Sequence, residues 1–579
     1  MMKMTRRAFG ASAGALAVST FAIGRLGAAN QGRVEGYPIA SDVLTTLQRT
    51  VVPAPKPAVT VHPVEVAKYA PNGYGAWGYG SALAYDKRLD IMPATYPGAS
   101  VANAAGLLRF FTITDLHITD KESPSSAIYL GVKDGVTSGY SPVMLETTHV
   151  LDAAIQTINA LHKQNPIDFG ISLGDTCNNT QYNELRWYID VIDGKLITPS
   201  SGAHAGADTI DHQKPYQAAG LDKTISWYQA LGNHDHFWMG TNPVNDYLRQ
   251  VYVGEDILRL GDIFAEPDGI NKRHYYMGSL DGSTPHGDIR GAGPVANFTS
   301  PPKVVADPNR RSLRKKEWMR EFFATSSNPV GHGFTQANVD NDFACYSFQP
   351  KSDLPIKVIV LDNTQTDDDV SPAPSATSSP GYGHGSLDKA RYDWLVKELD
   401  DGQAAGQLMI IAAHIPIGVE PASSYVGWSS VSYVSEPTLI AKLHTYPNLI
   451  MLIAGHRHLN VITAFKSPDA GRPELGFWQV ETASLRDFPQ QFRTFEIVRN
   501  SDATISIFAT DVDPAVKAGS PAATSRSYAV ATEQIFAKNT LTSEARPLRP
   551  TGAYNAELVV QLSPDMQAKM QGYGTPIGR

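Results

Sequence analysis

Residues 107–117 read Leu107-Leu108-Arg109-Phe110-Phe111-Thr112-Ile113-Thr114-Asp115-Leu116-His117. The apolar run from Leu107 to Ile113 predicts a short strand, and it closes on an Asp-x-His pair. The same form returns along the chain. Phe169–Leu173 closes on Gly174-Asp175, and Ile225–Leu231 closes on Gly232-Asn233-His234-Asp235. Leu408–Ala413 closes on His414, and Leu449–Ala454 closes on Gly455-His456-Arg457-His458. Lys357–Leu361 leads in the same way into Asp362. Between these runs, Leu151, Ile155, Ile158 and Leu161 recur at helical spacing, as do Leu387, Leu395, Val396 and Leu399. Trp478–Val480, Phe492–Val498 and Ile505–Phe508 read as later antiparallel strands. The alternation predicts an α/β fold whose strands deliver polar residues at their C-terminal ends.

Outward from these runs the chain is less rhythmic. Residues 30–105 show no sustained period and read as an N-terminal arm or small subdomain. Residues 236–355 read as an insertion within a domain spanning 106–510, residues 365–386 as a solvated loop, and residues 511–579 as a tail. The 579 residues are 42% hydrophobic and 18% charged, a globular composition. Gly (48) and Pro (39) together exceed the usual combined share of about 12%, which favours a loop-rich protein and excludes a coiled coil. A formal net charge of −8 argues against holding nucleic acid by bulk electrostatics, so no stable nucleic-acid binding is expected. Two cysteines, Cys177 and Cys345, exclude a disulfide framework and a cysteine zinc module but leave one bridge possible. No apolar stretch after the first thirty residues is long enough for a transmembrane anchor.

The polar strand ends share one chemistry. Residues two apart in an extended segment point to the same side, so Asp115 with His117, and His456 with His458, can each reach one ion. Asp175 can bridge two cations through its carboxylate, Asn233 offers a neutral carbonyl oxygen, and His414 an imidazole. Mixed His, Asp and Asn ligands suit Zn, Fe or Mn rather than Ca or Mg, and so many ligands suit two ions rather than one. Five of the 16 histidines belong to this ordered set. Asn178 and Asn179 could line the site or cap the following helix, with capping the favoured reading; Arg310, Arg311, Arg314, Lys315, Lys316 and Arg320 read as a solvated helix face, with a phosphate-facing patch as the lesser reading.

In this order the motifs resemble those of the calcineurin-like metallophosphoesterase superfamily, over roughly residues 107–510. The resemblance implies a sandwich of two mixed β-sheets flanked by helices. It also implies two divalent or trivalent ions, one held by Asp115, His117, Asp175 and His458, the other by Asp175, Asn233, His414 and His456. His234 matches the family's proton-donating histidine and Asp235 its orienting acid. The implied activity is hydrolysis of a small phosphate-ester substrate by a metal-bound hydroxide, with a nucleotidase or cyclic-nucleotide phosphodiesterase, or a non-catalytic exported binding protein, as alternatives. The long spans from Asp175 to Asn233 and from Asn233 to His414 depart from a minimal member.

The N-terminus carries an address. Lys3, Arg6 and Arg7 precede a weakly apolar run at 8–24 and the small residues Gly27, Ala28 and Ala29. The pair Arg6-Arg7 before Ala8-Phe9 resembles a twin-arginine signal over residues 1–29. The expected partner is the twin-arginine export machinery, and the expected location is periplasmic or secreted.

Overall fold

The computed structural model describes residues 34–98, 101–263, 274–366, 383–420, 427–536 and 552–577. The expected signal segment at 1–29 and most of the expected loop at 365–386 lie outside the described residues.

Two mixed sheets flanked by helices form the α/β sandwich. Strands of the first sheet are β1 (Asp86–Arg88), β2 (Asn103–Ile113), β3 (Phe169–Ser172) and β4 (Ser226–Gln229). Those of the second are β5 (Tyr346–Phe348), β6 (Ile356–Leu361), β7 (Leu408–Ala413), β8 (Leu449–Ala454), β9 (Val461–Phe465) and β10 (Phe477–Glu481). The chain then returns to the first sheet with β11 (Phe492–Asn500), β12 (Ile505–Val512) and β13 (Ala556–Val560). The first sheet runs in the order β1-β13-β12-β11-β2-β3-β4, and Thr575–Pro576 pairs alongside β2. Strands on both sides of the expected 106–510 limits therefore belong to one sheet. The second sheet runs β5-β6-β7-β8-β10-β9.

Strand direction, more than strand order, decides where the polar strand ends gather. β2, β3 and β4 are mutually parallel, and so are β6, β7, β8 and β10. The Trp478 strand, expected to be antiparallel, is parallel to β8 on one side and antiparallel to β9 on the other. Phe492–Asn500 and Ile505–Val512 are antiparallel neighbours, as expected.

The strands read as continuous apolar runs because both of their faces are covered. In β6, Val358 and Val360 face the shared core between the sheets, while Ile359 and Leu361 pack outward with Leu395 and Leu399 of α3 (Lys389–Ala404). In the first sheet, Phe110 stacks between Phe169 and Phe495 at 4.8 and 4.7 Å, and Phe169 meets Phe348 of the second sheet edge-on at 5.5 Å. The outer side of that sheet is covered by α1 (Thr147–Gln164) and α2 (Tyr182–Asp193), whose Ile155 and Ile192 pack near Phe111 and Ile113. Cys177 and Cys345 are buried and unpaired.

Candidate metal centre

Parallel strands put their C-terminal ends on one rim, and here the rims of the two sheets meet. β2, β3 and β4 deliver Asp115 with His117, Asp175, and Asn233-His234-Asp235; β7 and β8 deliver His414 and His456 with His458. Close approach of the loops requires glycine at two of these ends. A Cβ on Gly232 would sit 2.2 Å from Asp175 Oδ1, and one on Gly455 would sit 2.5 Å from Asp115 Oδ2. Asp115, His117, Asp175, His456 and His458 themselves have left-handed φ values of 51, 45, 52, 71 and 57°.

Three groups result, each with ligand atoms mutually within 4.8 Å: Asp115, His117 and His458; Asp175, His414 and His456; and His117, Asp175 and His234. Asp115 Oδ1 is 3.3 Å from His458 Nε2 and 3.9 Å from both His117 Nε2 and His414 Nε2. Asp175 Oδ2 is 3.2 Å from His414 Nε2 and 3.6 Å from His117 Nε2, so one oxygen faces both groups. His456 Nδ1 lies 3.1 Å from Asn233 Oδ1 and 3.2 Å from His414 Nε2. The other carboxylate oxygens are already occupied. Asp115 Oδ2 accepts from the His456 amide at 2.9 Å and from Thr114 Oγ1 at 2.7 Å, and Asp175 Oδ1 accepts from the His234 amide at 2.8 Å. Of the two Asp175 oxygens, Oδ2 is the one that faces both ligand groups, while Oδ1 accepts a backbone amide.

The donor set fits a pair of cations. Zn–N bonds of about 2.0–2.1 Å imply ligand-to-ligand edges of about 3.3 Å in a tetrahedron, and the separations here run from 3.1 to 3.9 Å. Asp115 Oδ1 is buried and accepts no hydrogen bond among the described residues, which such a cation would remedy. Imidazole with carboxylate and amide oxygen suits Zn, Fe or Mn. The electrostatics agree. Burial alone would lower His414 and His458, but the charge of Asp175 lifts His414 to about 9, and Asp115 with Asp487 lifts His458 to about 10. Burial and the neighbouring His414 lower His456 to about 3. The cluster draws positive charge toward two buried carboxylates, as protons or as cations.

His234 and Asp235 occupy this rim in different ways. His234 Nδ1 donates to the Asn178 carbonyl at 2.7 Å, which leaves Nε2 as the nitrogen free for chemistry. Asp235, expected to orient that ring, instead accepts from the amides of Asp175 (3.0 Å), Thr176 (2.9 Å), Cys177 (3.1 Å) and Gly232 (2.9 Å), and from Thr176 Oγ1 (2.6 Å). It ties the loop after β3 to the loop after β4, and the backbone of Asn178 takes the orienting role.

Two residues near the rim, Arg486 and Asp487, escaped the sequence reading. Asn178 and Asn179 do not cap α2, whose N-cap is Gln181. The Asn178 side chain accepts from Arg486 at 3.2 Å, and Asp487 Oδ2 accepts from His458 Nδ1 at 2.7 Å. Arg486 and Asp487 follow β10, so the strand-end rule that found the other residues would have found them had β10 been read as parallel. Asp362 pairs with Arg391 at 3.2 Å and Lys315 at 3.6 Å, and accepts from Thr364. The basic run is not uniformly a solvated face. Arg310 is buried against Asp120 at 3.0 Å, whereas Arg311, Arg314, Lys316 and Arg320 are not buried.

No family model matches the chain, and no curated protein matches it. Among solved structures, a crystal structure of a dimetal phosphatase from Danio rerio aligns with 71% of this chain and 100% of its own, at 11% identity and a TM-score of 0.35. A likeness that loose carries no argument about the site, which stands on its own geometry: His and Asp clusters arranged for two metal ions, as in metal-dependent hydrolases. Among the described residues, no helix is long and apolar enough to cross a membrane.

Proposed function

We propose that the protein is a binuclear metallophosphoesterase that hydrolyses a small phosphate ester. The observation that carries this reading is Asp175 Oδ2, placed 3.6 Å from His117 Nε2 and 3.2 Å from His414 Nε2, between two sets of ligands. Asp115, His117, Asp175 and His458 would hold one ion, and Asp175, Asn233, His414 and His456 the other. When bound, such a pair supplies Lewis-acid polarisation of a phosphoryl group and a lowered pKa for water.

The rest falls to the chain. Two buried carboxylates match a doubly cationic centre without repelling a dianionic ester altogether. His234, fixed through Nδ1, presents Nε2 to the rim and carries the proton that a leaving alkoxide takes up. Asp235 keeps the loops bearing Asp175 and His234 in register. In this proposal the Arg6-Arg7 pair, which resembles a twin-arginine signal over residues 1–29, would direct the activity outside the cytoplasm.

The test is elemental analysis of purified protein, followed by a panel of alkyl and aryl phosphate monoesters, diesters, nucleotides and cyclic nucleotides. Two ions per chain and metal-dependent release of alcohol or nucleoside are expected. Preference for nucleotides or cyclic nucleotides would select the nucleotidase or phosphodiesterase alternative. Two ions with no hydrolysis of any ester would leave a metal-binding protein and overturn the enzymatic reading.

A further inference from the structure

The turn at Ser484–Asp487 touches both rims. Ser484 Oγ donates to the Asp115 carbonyl at 2.6 Å and accepts from the amides of Arg486 and Asp487 at 2.9 and 3.1 Å. Asp487 is thereby fixed relative to Asp115, a residue of the other sheet. Its Oδ2 accepts from His458 Nδ1 at 2.7 Å and from Thr137 Oγ1 at 2.8 Å. His458 Nε2 is then left facing Asp115 Oδ1 at 3.3 Å.

No other imidazole of the cluster is held this way. His414 Nδ1 rests on the Leu173 carbonyl at 2.8 Å, a neutral partner within the buried loop. Among the described residues, His117 Nδ1 and His456 Nε2 have no hydrogen-bond partner. His458 is also a rim residue with 19% of its side chain exposed, so packing alone holds it less firmly than the fully buried His414. A ring at such a place needs a partner that selects its tautomer and its angle.

We propose that Asp487 is a positioning residue for one of the two ions: it holds His458 with Nε2 toward Asp115 and His117, and does nothing for the ion at His414 and His456. This rests on the two-ion reading above. Carboxylates behind ligand histidines commonly change metal affinity by about 10–100-fold. Asymmetry is the distinguishing feature. The His414–His456 pair is anchored through Leu173 and Asn233, and no hydrogen bond joins either of them to the Ser484–Asp487 turn among the described residues.

The experiment compares wild type, Asp487→Ala, Asp487→Asn and Thr137→Val, each refolding-competent by thermal melt and loaded with cobalt. Release of cobalt to a competing chelator and the visible absorption of the bound ions are followed. Wild type should release two ions. In Asp487→Ala one ion should be released at about 10–100-fold lower chelator concentration, with its absorption band altered and the other unchanged. Asp487→Asn keeps an acceptor for Nδ1–H and should fall between the two. Thr137→Val, which only loosens Asp487 from outside the rim, should shift the same ion by less, and it carries the test if the position 487 variants do not fold. An unchanged release curve in a folded Asp487→Ala, or in Thr137→Val when Asp487→Ala does not fold, overturns the proposal, as does equal weakening of both ions. A wild type that binds no cobalt overturns the two-ion reading itself, and the proposal with it.

Discussion

The rim of the first sheet and the rim of the second contribute different things. β2, β3 and β4 supply both carboxylates, the amide and the buried Asp235, and their backbone amides tie the loops together. Asp235 alone accepts from amides on both sides, at Asp175, Thr176, Cys177 and Gly232. β7 and β8 supply only imidazoles, and these are aimed from behind: His414 by the Leu173 carbonyl, His458 by Asp487. Between His456 and His458, Arg457 is clamped onto Glu481 by two 2.6 Å bonds and onto Glu420 by one of 2.8 Å, which fixes the backbone of the motif. The two expected ligand carboxylates and their backbone cradle thus come from one sheet, and three of the four expected ligand imidazoles from the other.

The largest effect should follow from removing charge at the first rim. Asp175→Asn takes away the oxygen that faces both ligand groups. Metal content should fall clearly below two ions per chain, and turnover of every ester should drop together by at least about a thousandfold, beyond the 10–100-fold typical of residues behind ligands. Full occupancy with normal turnover would show that the rims do not divide charge and aim in this way. His234→Ala belongs to the same rim but not to the ligands in this reading. It should keep both ions and lose roughly 100–10,000-fold in kcat/KM on an alkyl ester, with a smaller loss on an activated aryl ester that leaves without a proton. Equal losses on the two esters would make His234 a phosphate contact, and a lost ion would make it a ligand.

A smaller effect should appear in the pH dependence of the metal-stripped protein. His414 and His458 are lifted to about 9 and about 10, against burial, by the carboxylates of the first rim. A raised folded value means that their protonation stabilises the stripped fold fully below about pH 6.5, the unperturbed value, and that this contribution declines until it is gone near pH 9–10. The stripped protein should therefore melt at falling temperature across that interval. The loaded protein should not, because cations displace those protons. The same decline in both forms would sever the link between the rims. The smallest effect is expected of reductant. Cys177 lies beside the first rim and Cys345 beside the second sheet, both buried and unpaired. The melting temperature should be the same with and without a thiol reductant, and a drop on reduction would reveal a covalent tie.

Much of this division could be read from residues alone. β7 and β8 have the limits that their apolar runs predict, because a strand covered on both faces shows its whole length as hydrophobic sequence. All seven expected ligands and His234 converge, because each closes such a run. What stayed hidden depends on strand direction and on backbone contacts. Trp478–Val480 is short and holds the polar Gln479, and nothing in its composition tells parallel from antiparallel, so Asp487 looked like an ordinary loop acid. Asp235 follows His234 directly, and adjacency implied a contact that the turn does not make. Asn178 acts through its carbonyl oxygen, which every residue type possesses. Arg310 sits in a basic run, yet its side chain turns inward to Asp120 from a segment far along the chain.

The left-handed backbone at Asp115, His117, Asp175, His456 and His458 has a consequence of another kind. Each such residue holds a conformation that glycine adopts without penalty and that costs other residues on the order of 1 kcal/mol or more. Replacing any one of them by glycine would relax the backbone while erasing a donor. In the stripped state such a chain should resist heat better than the parent wherever the lost side chain's hydrogen bonds are worth less than the strain. Thermal tolerance and chemistry are therefore set against each other at these five points of the backbone.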